Sequence, residues 1–194
     1  MATQANLDAV QKLYISYLGR PGDEAGLGFW ANAIESGISS LESVATGFTL
    51  TSEYSSIYGN LTAVALVEQI YQNTFGRASD AAGKAFWVGL LANGSVSADT
   101  IALQMISNMG ATDKALIDTK VAASNTYTQT AGANYSLDAA KNVLTEINSG
   151  VGAGSPTPPV TTPPAAITVI DSWIDGKLSL TSAAEKVVVN AGHP

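Results

Sequence analysis

The chain's two arginines, Arg20 and Arg77, stand 57 residues apart, and the residues around them repeat at the same interval. Residues 10–30, VQKLYISYLGRPGDEAGLGFW, align without a gap on residues 67–87, VEQIYQNTFGRASDAAGKAFW. Nine of these 21 positions are identical, and the register continues through Ile34/Leu91, Gly37/Gly94, Ser40/Ser97 and Val44/Ile101. A fixed offset means that one supersecondary unit is used twice, so the fold must be an array of two like units. It also argues against an active site, because a small domain rarely needs two copies of a whole catalytic apparatus.

Each unit reads as three helices. In the first, Leu7, Val10, Leu13, Tyr14, Tyr17 and Leu18 recur at helical spacing over residues 5–18, with Thr3 or Asn6 as cap. Gly19 ends that helix and Pro21-Gly22 turns the chain. Asp23 caps a second helix carrying Phe29, Trp30 and Ile34, which stops at Gly37. Ser39-Ser40-Leu41-Glu42 opens a third that runs through Phe48 to about Tyr54. The second copy predicts helices over about 61–75 and 80–92, and a third capped by Ser97 that passes through Met109. Two closing helices are expected near 112–130 and 136–149. The last of these, SLDAAKNVLTEI, echoes LDAVQKLYISY at residues 7–17 and reads as a degenerate third half-unit. The expectation is therefore an all-α domain, residues 1–150, with repeats at about 7–59 and 64–113 and closing helices over 114–150.

Residues 151–164 form a Pro/Gly-rich linker, and the stretch GVGAGSPTPPVTTPP holds five of the chain's seven prolines. Residues 165–194 read as the start of a further domain, with β-prone runs at Ile167–Ile170 and Lys186–Asn190.

The repeated Gly-Arg-x-x-Asp-x-x-Gly has a structural reading. Gly19 and Gly76 take the left-handed conformation that ends a helix. Asp23 and Asp80 accept the first backbone N–H groups of the next one. Arg20 and Arg77, three residues before those aspartates, pair with them across the turn. Gly26 and Gly83 sit inside a helix and ask for a close helix crossing. Trp30, Trp87, Phe29 and Phe86 fill the core between units.

The pattern Leu13-Tyr14-x-x-Tyr17-Leu18-Gly19-Arg20-x-x-Asp23-x-x-Gly26-x-x-x-Trp30, then Gly37-x-Ser39, then Phe48-x-x-x-Ser52-Glu53-Tyr54, resembles the DUF4214 domain. The resemblance covers about residues 8–113. In the second copy it departs after Met105, where Asn108-Met109-Gly110 stands in place of Ser52-Glu53-Tyr54. That family implies a helical domain of bacterial secreted and surface proteins, found beside RTX calcium-binding repeats and in S-layer proteins exported by type I secretion. The chain is also similar to the helical linker domains of phycobilisomes.

Composition narrows the partners. The net charge is −7 and only 13% of residues are charged, about half the usual globular share. Nucleic acid is excluded as a partner, since phosphate binding needs clustered Lys and Arg. No apolar run approaches the roughly 20 residues of a membrane span. The N-terminus lacks the basic region and apolar core of a Sec signal, and the absence of cysteine favours an exported bacterial protein without disulfides. The one histidine is His193, so no Ser-His-Asp, Cys-His or His/Cys zinc site is expected and no catalytic residue is assigned. The loop Pro21-Gly22-Asp23-Glu24 offers oxygens for a metal, as almost any surface turn does, with Asp23 and Glu24 as the ligand candidates. No cofactor is assigned to this chain, and calcium is expected only of the full-length protein. Among aromatic residues, Tyr54, Tyr58, Tyr127 and Tyr135 lie outside the identical block and are the candidates for an exposed, glycan-stacking face.

These readings lead to a non-enzymatic N-terminal module of a bacterial S-layer protein at the extracellular cell surface. It would anchor the lattice through the glycan of lipopolysaccharide and pack against identical neighbours. The alternatives are a helical interaction domain of an RTX-type secreted adhesin, or an accessory domain of a secreted polysaccharide-acting enzyme.

Overall fold

The computed structural model describes residues 1–150 throughout and, beyond them, the backbone of two short strands. By its contacts the chain divides into two units, Met1–Val160 and Thr161–Pro194.

The first unit is all-α over its described residues. Helix α1 (Gln4–Leu13) starts at Thr3, whose hydroxyl accepts the Asn6 N–H, and widens into a π-helical turn at Tyr14–Leu18. The equivalent stretch of copy two stays α-helical to the end of α5 (Ala63–Phe75), so the two copies differ here despite their ungapped alignment. Gly19 and Gly76 close these helices at φ 63°, the left-handed region where a Cβ would be strained. A Cβ on Gly19 would also press on the Asn73 side chain, and one on Gly76 on the Asn148 side chain. Each of these helix-ending glycines therefore abuts an asparagine of a later helix, in α5 and in α9 (Leu137–Gly150) respectively.

Asp23 caps α2 (Glu24–Glu35) through Gly26 N–H, and Asp80 caps α6 (Ala81–Ala92) through Gly83 N–H, both at 2.9 Å. Gly37 and Gly94 end the two helices at φ 71° and 74°. Ser40 caps α3 (Leu41–Thr49), one residue later than the Ser39–Glu42 capping box would place the start. The expected continuous run to Tyr54 is instead broken: Thr51 turns its hydroxyl onto the Tyr54 N–H and starts a separate helix, α4 (Ser52–Tyr58). In copy two, Ser97 opens a turn rather than a helix. Its carbonyl accepts from both Thr100 and Ile101, and the regular helix α7 spans only Ile101–Ser107. A new start at Gly110 then launches the long α8 (Ala111–Ala131), and a 3-10 turn at Gly132–Asn134 leads to α9.

One hydrophobic cluster runs through both repeats, from Val10, Leu13 and Tyr17 to Val67, Ile70, Tyr71 and Met105. Each fully buried Leu or Ile here, such as Leu13 or Ile70, contributes roughly 1.5–3 kcal/mol. A second cluster, Ile15, Ile117, Val121 and Leu144, fastens the closing helices to α1 and its π turn. Polar ties join the repeats: Asn73 donates to the Ser16 carbonyl, its own repeat equivalent, at 3.2 Å, and the Tyr17 hydroxyl donates to the Asp99 carbonyl at 2.5 Å.

In the second unit, strands β1 (Ile170–Ile174) and β2 (Lys177–Leu180) pair antiparallel, with Trp173 opposite Leu178 and Ile174 opposite Lys177. Ile170, the last residue of the β-prone run expected at Ile167–Ile170, opens β1, and residues 167–169 fall outside the described residues. The linker 151–164 and the run Lys186–Asn190 fall outside the described residues.

Candidate functional site

The repeated arginines do not pair with the aspartates three residues on. Asp23 and Asp80 spend a carboxylate oxygen on their helix caps, and each arginine turns to a later helix instead. Arg20 donates from Nε and Nη2 to the two carboxylate oxygens of Glu53, both at 2.6 Å. Its Nη1 donates to the Pro21 carbonyl at 3.0 Å and to the Tyr135 hydroxyl at 2.9 Å. The guanidinium lies 5.1 Å from the centre of the Tyr14 ring and 6.0 Å from that of Tyr135. Burial is the largest single influence and would lower its pKa, but the hydrogen bonds and charges of Glu53 and Tyr135 together outweigh it and leave it raised. The same burial, helped by the Asp23 charge, pushes the Tyr14 hydroxyl up to about 12.

Arg77 repeats the arrangement with a different acid. It donates to Asp113 from Nη2 at 2.8 Å and from Nε at 3.4 Å, contacts the Ala78 carbonyl, and lies 5.5 Å from the Tyr71 ring centre. Held at the offset of 57, Glu53 maps onto Gly110, one residue later than Met109, which the expected tripeptide set against it. The clamping acid has moved three residues further, to Asp113, about one turn into α8. A second latch repeats without displacement: Gln11 accepts the Gly22 N–H and Glu68 accepts the Ser79 N–H, both at 3.1 Å. The close approach demanded by Gly26 is met by the Tyr14 hydroxyl, which a Cβ would strike. Gly83 is buried at the equivalent place.

The aromatic residues sort differently from expectation. Trp87 is buried and Trp30 is half-buried, but Phe29 is 66% exposed and Phe86 36%. Helical geometry explains this: Leu27 and Ala31 occupy the inner face of α2, and residue 29 lies opposite them. Each phenylalanine meets the tryptophan beside it edge-on, with ring centres 4.9 Å apart at 29/30 and 5.1 Å at 86/87. Conversely, Tyr54 and Tyr58, expected on an exposed face, are buried and stacked at 4.4 Å. Thr51 starts α4 in a phase that turns both inward, where the Tyr58 hydroxyl accepts from Asn73 at 3.2 Å. Tyr127 and Tyr135 are half-buried with ring centres 5.5 Å apart. Tyr135 is spent on Arg20 and the Pro21 carbonyl, and Tyr127 donates to the Ser136 carbonyl at 3.0 Å.

Sequence reading missed the role of α8. Its inner face carries Asp113, Ile117, Lys120, Ser124 and Thr128, a mainly polar stripe. Asp113 holds the second turn through Arg77, and Thr128 donates to the Gly22 carbonyl of the first turn at 2.7 Å. Between them Lys120, fully buried, donates to the Asn73 and Thr74 carbonyls at 2.8 and 3.1 Å, satisfying the C-terminal end of α5. Its burial pushes its pKa down to about 8. The only sequence signal was the i, i+3, i+4 spacing of these polar residues, which equally describes a solvated face.

For a metal, Asp23 is committed to its cap and Glu24 is exposed. Among the described residues no group of three or more His, Asp or Glu side chains is placed to hold an ion. No helix of the described residues is long and apolar enough to cross a membrane.

Two comparisons return nothing: no curated protein and no solved structure matches the chain. The family model described as a domain of unknown function, DUF4214, matches twice, over residues 2–58 and 45–109. The two matches meet across α3 and α4, the segment that closes the first repeat and leads into the second. Together they span more than half of the 194 residues, and the internal repeat and the clamp residues Arg20, Glu53 and Arg77 fall inside them; the chain belongs to the DUF4214 domain family.

Proposed function

We propose that this domain is a non-enzymatic module of a bacterial S-layer protein. It anchors the protein at the extracellular cell surface through the glycan of lipopolysaccharide and packs against identical neighbours. The observation that carries this reading is the pair of exposed phenylalanines at equivalent positions of successive repeats, Phe29 on α2 and Phe86 on α6, each edge-on to the more buried tryptophan beside it. Large exposed aromatics at matching positions are a contact surface in waiting, and an aromatic ring suits the C–H face of a sugar or an apolar neighbour. The polar residues of the repeated motif support a scaffold rather than chemistry, since Arg20, Asp23, Arg77 and Asp80 are consumed by turns and caps. A surface with few charges suits dense packing among like molecules.

The test is binding of the 194-residue chain to lipopolysaccharide with and without its O-polysaccharide, repeated with Phe29→Ser plus Phe86→Ser. Binding is expected to need the polysaccharide and to weaken about tenfold or more in the double variant, equivalent to about 1.4 kcal/mol. Equal retention on both lipopolysaccharides, or none on either, overturns the anchoring role.

A further inference from the structure

Between α1 and α8 lies an open polar cleft of about 240 Å³. Helix α1 supplies Gln4, Asp8 and Lys12, spaced four apart and therefore on one face. Helix α8 supplies Asp118 and Asn125, with the nearly buried Val121 between them as an apolar floor. Beneath the cleft, Ile117 and Val121 of α8 pack on Ile15 of the π turn that continues α1.

The polar groups are arranged for hydroxyls. Asp8 Oδ1 accepts from Gln4 Nε2 and, across the cleft, from Asn125 Nδ2, both at 2.7 Å. Those two amides fix the carboxylate, and its Oδ2 accepts no hydrogen bond among the described residues. Lys12 Nζ stands 3.7 Å from Asp118 Oδ1, too far for a hydrogen bond, so its donors are not taken by that contact. Asp118 is held from its other side by Lys114 at 2.5 Å. The cleft thus offers a fixed acceptor at Asp8, a donor at Lys12, and the side-chain amide oxygens of Gln4 and Asn125, which accept no hydrogen bond among the described residues, over an apolar floor. A metal ion would need oxygens converging where the amides present N–H groups to Asp8. A phosphate would meet the Asp8 and Asp118 carboxylates. A pyranose ring meets the need, because vicinal hydroxyls donate and accept together while the ring's C–H face rests on Val121.

We propose that this cleft holds one neutral, hydroxyl-rich monosaccharide unit of the surface glycan. The proposal rests on the anchoring reading above and adds a subsite separate from the Phe29 and Phe86 faces.

The experiment uses the ¹⁵N-labelled 194-residue chain, titrated with O-polysaccharide and with the methyl glycosides of mannose, galactose and N-acetylglucosamine. The variants are Asp8→Ala, Asn125→Ala and Lys12→Ala, each checked for an unchanged melting curve. Amide shifts centred on Asp8, Val121 and Asn125 are expected, with polysaccharide affinity at least tenfold weaker in the variants. Wild-type affinity in folded variants, or shifts confined to α2 and α6, overturns the cleft and leaves the anchoring role standing. No binding of polysaccharide or glycoside by the wild-type chain overturns both.

Discussion

Lys120 makes the stability of this domain depend on pH in an unusual direction. In the unfolded chain its pKa is the ordinary 10.5, and in the fold, where it is buried against two carbonyls, it is about 8. Between those values the unfolded state binds more protons than the native one, so stability rises with pH through that window. At about 1.4 kcal/mol per unit, holding the charged lysine inside costs the native state about 3 kcal/mol at pH 7. About 2 kcal/mol of that is recovered by pH 9.5. Higher still, the buried tyrosines reverse the trend. Tyr14, Tyr17 and Tyr58 all have raised values, so they keep their protons in the fold while the unfolded chain loses them above about pH 10. The assay is urea unfolding of wild type and Lys120→Met at half-unit steps from pH 7 to 9.5. Wild type is expected to gain about 2 kcal/mol over that range, and the variant less than about 0.5. At pH 9.5 the variant should be the less stable, because the Asn73 and Thr74 carbonyls lose their donor. Parallel pH profiles for the two proteins would refute the account of Lys120.

Two further outcomes test the packing. Gly26→Ala drives a methyl into the Tyr14 hydroxyl and is expected to cost about 2 kcal/mol, whereas Gly28→Ala and Gly89→Ala, on open helix surface, should each stabilise by about 0.5–1 kcal/mol in the same urea titration. Glu53→Ala and Asp113→Ala each strip a clamped arginine of its partner and should cost about 2 kcal/mol, less than a fully buried pair because Glu53 is a third exposed and Arg77 a fifth; a loss under about 0.5 kcal/mol in either would show the clamps to be ornamental.

The sequence by itself determined the repeat, the all-α class, and most helix ends, because these depend on chemistry within a few residues. The left-handed glycines Gly19, Gly76, Gly37 and Gly94 and the caps Asp23 and Asp80 are local signals and stand where the sequence places them, and Thr3 is one of the two caps it offered for α1. It was least reliable where two local signals compete, as at Thr51, which restarts a helix inside an apolar pattern that continues past it. Tertiary structure alone decided which carboxylate each arginine takes, since an acid 33 or 36 residues away in sequence lies closer than the one three residues on once that neighbour has become a cap. It also decided which face of a helix is inside. Periodicity reports that a face is apolar, but the phase of α2 leaves Phe29 in solvent, while that of α4 hides Tyr54 and Tyr58. The polar stripe of α8 reads as a solvated face until the two turns and the end of α5 are seen to need its hydrogen bonds. A buried charge has no one-dimensional signature, because what makes Lys120 interior is the set of carbonyls that other helices bring to it.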